Sequence, residues 1–199
     1  MIDIINSPSS NALAVYYAYQ DLGINCRIIS EASEVSKSTK IIIPGVGSFG
    51  SLSQYLEFSG FINPIKNAVD NNVKILGICL GMQILANTSE EAPTHKGLGL
   101  IDLDCVKIEN SHLRVPHTGW DEISISIQHP ITEGLNSMFS AYFSHSYFLP
   151  VNSKYSKAEI QYGTAMSVIV AHKNIVGVQF HPERSQKNGR KTLVNFANW

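Results

Sequence analysis

Lys74-Ile75-Leu76-Gly77-Ile78-Cys79-Leu80-Gly81-Met82-Gln83 is an apolar run that ends on a cysteine, with glycine two residues before it and two after. The first half has the length and aliphatic character of a buried strand, and the residues that follow suit a helix. A strand that turns sharply into a helix leaves no room for side chains beside the turning residue. That explains glycine at both flanking positions and predicts a nucleophile elbow with Cys79 at its tip. The sulfur then lies near the N-terminus of a helix over Leu80 to Asn87, where unpaired N–H groups and the helix dipole favour a thiolate. A lone cysteine is more often a small buried apolar residue, so the elbow needs support from elsewhere in the chain.

Outward from this segment, β-branched runs recur at Ile2 to Ile5, Cys26 to Ile29, Lys40 to Ile43 and Lys74 to Ile78. Helical stretches at Asn11 to Leu22, around Pro64 to Asn71 and at Leu80 to Asn87 lie between or after them. This alternation predicts a flavodoxin-like α/β fold, a doubly wound and mostly parallel sheet with helices on both faces. Beyond Leu98 the strand candidates crowd together, at Asp121 to Ile127, Ala158 to Tyr162, Ala165 to Ala171 and Ile175 to Phe180. They predict antiparallel additions in the C-terminal half, closed by a helix from about Gly189 to Trp199. With 199 residues, 44% of them apolar, and no linker, the expectation is one domain over residues 1–199.

Charge and cysteine usage narrow the function. A net charge of -1 from 15 basic and 16 acidic residues leaves no basic stripe for nucleic acid. Cys26, Cys79 and Cys105 form neither a C-x-x-C pair nor an even-numbered disulfide set, and the start Met1-Ile2-Asp3 lacks the build of a signal peptide. A cytoplasmic location is expected. No apolar stretch reaches the length of a membrane span, and no His/Cys spacing suggests a metal; no cofactor is expected.

A thiolate needs a base, and the histidines stand at positions 95, 112, 117, 129, 145, 172 and 181. His181 follows the apolar run Ile175 to Phe180, so it falls just past a strand end, at the sheet edge where sites gather in doubly wound folds. Pro182 stiffens the turn, and Glu183 is close enough to accept the imidazole proton and fix its tautomer. Cys79, His181 and Glu183 thus form a candidate triad. A His-Pro-Glu tripeptide alone is weak evidence, and its force comes from the elbow. Acyl transfer also needs donors for a negative oxygen. Ile41-Ile42-Ile43-Pro44-Gly45-Val46-Gly47-Ser48-Phe49 reads as a strand ending in a glycine loop at the same edge and suits that task. Leu80, directly after the nucleophile, is the natural second donor. An ordinary strand-to-helix turn is the plainer reading of Pro44 to Gly47, and a phosphate loop is disfavoured by the missing Gly-Lys-Ser/Thr ending.

With these segments in order, the chain resembles the class I, triad-type glutamine amidotransferases over essentially its whole length. More narrowly it is similar to the glutaminase subunits of imidazole glycerol phosphate synthase. The further segments that carry this are Gly97 to Ile101, Val115-Pro116-His117-Thr118-Gly119-Trp120, Phe143-Ser144-His145-Ser146-Tyr147 and Gln179 to Ser185. The resemblance implies hydrolysis of L-glutamine through a glutamyl thioester on Cys79, with Gly47 and Leu80 as the oxyanion hole. It implies that Gln83, His145, Ser146 and Tyr147 line the glutamine site. It also implies a heterodimer with a β/α-barrel cyclase that receives the ammonia, with Pro116, His117, Trp120 and Asn11 toward that partner. Plainer readings stand beside these: Gln83 as a solvated helix residue, His145 as a polar strand residue, Trp120 as a core aromatic.

The chain also departs from the family. A segment of the type Asp-Tyr-Gly-x-Gly-Asn usually follows the first strand, where this chain has Asn6-Ser7-Pro8-Ser9-Ser10-Asn11 and keeps only Asn11. Asp121 stands where asparagine is usual, and Asp102 where proline is usual. The triad is untouched, but the partner is put in question. A paralogous subunit feeding an amidotransferase of surface-polysaccharide sugar synthesis is the alternative with the same chemistry. A non-catalytic regulatory or binding subunit on this fold, and a cysteine hydrolase or peptidase on a similar sheet, are the alternatives of other kinds.

Overall fold

The structure, a computed structural model, describes residues 1–109 and 113–199; His112 lies outside the described residues. Its strands are β1 (Ile2–Ile5), β2 (Cys26–Ile29), β3 (Lys40–Gly45), β4 (Lys74–Cys79), β5 (Val106–Lys107), β6 (His117–Ile125), β7 (Met138–His145), β8 (Tyr147–Pro150), β9 (Ser156–Tyr162), β10 (Thr164–His172) and β11 (Ile175–Val178). The helices are α1 (Ala12–Asp21), α2 (Phe49–Phe58), α3 (Ile62–Asp70), α4 (Leu80–Gln83) and α5 (Gln186–Asn198).

The main sheet runs β2-β1-β3-β4-β11-β10-β9-β6-β7. Neighbours from β2 to β11 are parallel, and those from β11 onward are antiparallel. The expected doubly wound sheet with antiparallel additions is therefore present. Alternation along each strand splits the core in two. Ile42 faces a layer containing Val15, Tyr19, Leu193 and Phe196 from α1 and α5, whereas Ile41 and Ile43 face Leu52, Leu56 and Ile65 from α2 and α3. Register aligns the carboxyl ends of the central strands: Gly45 lies opposite Cys79, and Ile78 opposite Val178. Whatever follows β3, β4 and β11 is thus gathered at one edge, where ligands bind in folds of this kind.

Several elements differ from expectation. The helix after Cys79 spans Leu80–Gln83 and does not continue to Asn87. Leu85 and Ala86 already bond back three residues, to Met82 and Gln83. Next, Leu98 and Gly99 donate to the carbonyls of Ile84 and Ala86, so a crossing segment takes the acceptors a longer helix would use. Gly97 permits the approach, since a Cβ there would sit 2.1 Å from the Ala86 oxygen. Helix α2 was not anticipated, although its signals are ordinary ones. Ser48 Oγ caps it by accepting from the Ser51 N–H, and Phe49, Leu52 and Leu56 bury one face at helical spacing. Strands β5, β7 and β8 were likewise not anticipated.

Candidate active site

The elbow owes its shape to backbone packed on backbone. A Cβ on Gly77 would lie 2.3 Å from the Gly81 oxygen, and one on Gly81 would lie 1.7 Å from the Ile43 oxygen. A third glycine belongs to the same contact: a Cβ on Gly45 would be 2.8 Å from Leu80 Cβ. Cys79 turns the corner at φ 54° and ψ -109°, a conformation that costs a non-glycine residue of the order of 1–3 kcal/mol and is held only by its surroundings. Its free sulfur sits at the start of α4, 3.8 Å from the Ser144 carbonyl and 3.7 Å from Gln179 Nε2.

His181 and Glu183 arrive from the turn after β11. The His181 ring is buried and borders the same cleft as Cys79, with Nδ1 2.8 Å from Glu183 Oε1. Burial alone would lower its affinity for a proton. The interactions with Cys79 and Glu183, and the charges of both, overcome that and raise the imidazole to about 10. Asn11 Nδ2 donates to the same Glu183 oxygen at 2.5 Å. Asn11, placed by the resemblance at the partner face, therefore also holds the carboxylate that orients the imidazole. The second Glu183 oxygen and Asn11 Oδ1 are buried without a protein partner. We expect Asn11→Ala to lower kcat roughly tenfold, the worth of one such bond, with little change in KM. Steady-state kinetics check this, and an unchanged kcat would contradict it.

A cleft of about 410 Å³ opens over Cys79 and His181. It is lined by every residue expected at the substrate and oxyanion sites, namely Gly47, Leu80, Gln83, His145, Ser146 and Tyr147, and Asn11 and Pro116 reach its rim. Gly47 adopts φ +89°, open to glycine and strained for others, and the preceding Val46 N–H is taken by the Ser9 carbonyl at 2.9 Å. The divergent loop after β1 is thereby tied to the segment Pro44 to Gly47. Leu80 opens α4, where N–H groups have no intrahelical acceptor. Gln83 is buried, donating to Tyr147 O at 2.8 Å and Gln179 Oε1 at 3.1 Å, so it braces the cleft wall and is not a solvated helix residue.

Two further residues reach the site, neither of them assigned a role by the sequence. Glu91 brings a carboxylate to the cleft while accepting from the Phe49 N–H at 2.7 Å, and Gln179 sits beneath the sulfur. Glu91 comes from an irregular turn with no spacing pattern. Of the residues expected at the partner face, Trp120 is 49% exposed beside Tyr142, whose ring is covered by the Arg184 guanidinium. His117 is buried, stacked on Tyr162 and Phe143, and touches His145. Asp102, at the proline position of the family pattern, accepts from Asn87 Nδ2 and closes the turn after α4. Among the described residues no cluster of His, Cys, Asp or Glu is arranged to hold a metal, and no helix is long and apolar enough to cross a membrane.

This arrangement suits acyl transfer from an amide: a thiol at a helix start, an imidazole that holds its proton, a carboxylate behind it, and Gly47 and Leu80 along the same cleft. Comparison with known proteins agrees with that chemistry. A relative from Sulfurimonas denitrificans named "Imidazole glycerol phosphate synthase subunit HisH" is 39% identical, covering 100% of this chain and 98% of its own. The protein of that name from Syntrophotalea carbinolica is 36% identical with both chains fully covered, and "subunit HisH 1" from Campylobacter jejuni is 37% identical over 99% of each. In fold, the chain is similar to a solved glutamine amidotransferase, with TM-score 0.78, 17% identity and full coverage of both, and to PurLQS from Thermotoga maritima, with TM-score 0.75, 18% identity and coverage of 99% and 97%. The pattern described as "Glutamine amidotransferase class-I" matches residues 3–198, and the chain belongs to that family.

Proposed function

We propose that this chain, acting as one domain, is the glutaminase subunit of imidazole glycerol phosphate synthase in histidine biosynthesis, working in the cytoplasm. It hydrolyses L-glutamine and passes the ammonia to a β/α-barrel cyclase in a heterodimer. The observation that carries the chemistry is Cys79 at its strained elbow, on one cleft with a His181 that Glu183 holds from behind. The pathway rests on relatives of that name along the full chain.

Cys79 sulfur attacks the side-chain amide carbon of glutamine, and its proton resides on His181. The amide oxygen becomes an oxyanion held by the N–H groups of Gly47 and Leu80. His181 then protonates the amide nitrogen, the C–N bond breaks, ammonia leaves, and a glutamyl thioester remains. Water attacks that thioester, giving its proton to His181, and the C–S bond breaks. Glutamate departs, and the proton that His181 took from water restores the starting state. Glu91 offers a carboxylate for the substrate's α-ammonium, and Gln83, His145, Ser146 and Tyr147 shape the opposite wall. Trp120 and Pro116 present the rim to the cyclase, and His117 supports that rim from behind.

Free ammonia wastes glutamine, so hydrolysis by the isolated chain is expected to be slow and to rise at least tenfold, about 1.4 kcal/mol in barrier, when the cyclase from the same organism binds with its nucleotide ligand. Coupled glutamate release measures this. Vigorous hydrolysis by the isolated chain, with no response to the cyclase, would assign the ammonia to a different synthase.

A further inference from the structure

Behind the cleft, the pairing of β6 with β7 sets His117 opposite His145 and builds a line of four groups. Tyr147 O lies 2.9 Å from His145 Nδ1, His145 Nε2 lies 3.2 Å from His117 Nδ1, and His117 Nε2 lies 3.2 Å from Asp121 Oδ2. Each of the three contacts requires one proton. A carbonyl and a carboxylate have none to give, and two neutral imidazoles bring only two. With both rings neutral, one contact in the line sets lone pair against lone pair, whichever tautomers are chosen. One extra proton closes all three.

That extra charge belongs on His117, beside the carboxylate. Burial, the neighbouring His117 and the charge of His181 outweigh the Tyr147 bond and hold His145 down, to about 3. Burial also pulls His117 below its ordinary value, while the charge and hydrogen bond of Asp121 pull it upward. The sign follows: the proton leaves as pH rises through a value under 6.5. Among the described residues, the titratable or charged groups facing this line are Asp121 on β6, His145 on β7, Tyr162 at the end of β9, and His181 beyond His145.

The line ends on the substrate wall. Tyr147 O also accepts from Gln83 Nε2, and residues Ser144 to Tyr147 line the cleft. We propose that Asp121 is a positioning residue for glutamine binding: by drawing an extra proton onto His117, its carboxylate closes a two-imidazole relay that fixes the Tyr147 carbonyl. This rests on the glutaminase reading above for its substrate, but the relay itself does not. In Asp121→Asn the amide donates to a bare His117 Nε2, so all three bonds are made with two ring protons and no titration is needed.

The experiment is a side-chain nitrogen NMR titration of the full chain from pH 5 to 8, with KM and kcat for glutamine measured across the same range in complex with the partner. Wild type is expected to gain one ring N–H, on His117, as pH falls. Its KM should drop about fivefold in step, the worth of one hydrogen bond, while kcat moves less. Asp121→Asn should show neither the added proton nor the step in KM. A wild type whose two rings never carry a third proton in this range overturns the proposal without reference to any variant. So does a KM step of equal size in Asp121→Asn. A relay that titrates as expected in a chain that hydrolyses no glutamine would sink the glutaminase reading and leave Asp121 without a substrate to position.

Discussion

Cys79→Ala is expected to abolish glutamine-dependent synthesis by the assembled enzyme, by a factor of about 10⁴ or more, while synthesis from added ammonium salt persists. The asymmetry follows from the division of labour proposed above. The sulfur forms the only covalent bond to glutamine, and no second thiol can replace it: Cys105 is buried against the Gln83 carbonyl, with burial pushing its thiol well up, and Cys26 lies by the Tyr16 carbonyl, away from the cleft. Ammonia supplied from outside bypasses that step. Alanine removes only the thiol group and fits the small volume at the elbow, so the partner face keeps its shape. Loss of both activities would mean that Cys79 supports the assembly and not the chemistry alone.

Gly81→Ala is expected to lower stability by about 3 kcal/mol or more, a sizeable part of the total for a domain of this size. The added Cβ would stand 1.7 Å from the Ile43 oxygen and 2.8 Å from its carbonyl carbon. Both belong to the middle of the sheet, so β3 and α4 must separate, and a melting temperature roughly 10 °C lower follows. The same shift moves the Leu80 N–H away from the oxyanion position, so activity falls in whatever fraction still folds. Gly23→Ala is the contrast: its φ of +67° is disfavoured for alanine but nothing lies within 4 Å, so its loss is about 1 kcal/mol. Thermal unfolding of the two variants separates packing from backbone preference. Equal melting temperatures for Gly81→Ala and wild type would show that the elbow is not held by this contact.

Much of this architecture is legible in the sequence because its determinants are local. The aliphatic runs fixed the four leading parallel strands to within two residues, since a strand buried on both faces is continuous in its apolar character. The elbow was legible because its glycines and cysteine answer one steric problem within five residues, and His181 with Glu183 because one turn holds both. What escaped depends on distant contacts. The early end of α4 is set by Leu98 and Gly99, fifteen residues on in the chain, and not by its own sequence. Glu91 reaches the cleft only because an irregular turn packs against the start of α2. His117 reads as a surface residue in its motif, yet the β6–β7 register turns it inward onto His145. The divergent loop after β1 is tied to the segment Pro44 to Gly47 by a carbonyl that any residue at Ser9 supplies. Backbone hydrogen bonds of that kind leave no trace in side-chain identity.

Cys79 Sγ is the atom proposed to attack glutamine, and covalent trapping tests this without a variant. The complex would be treated with a glutamine analogue that carries an electrophilic carbon in place of the amide, and the labelled peptide identified by mass spectrometry. One equivalent of label is expected, on Cys79, slowed by competing glutamine and accompanied by complete loss of glutamate release. Label on Cys26 or Cys105, or continued hydrolysis by chains labelled at Cys79, would contradict it.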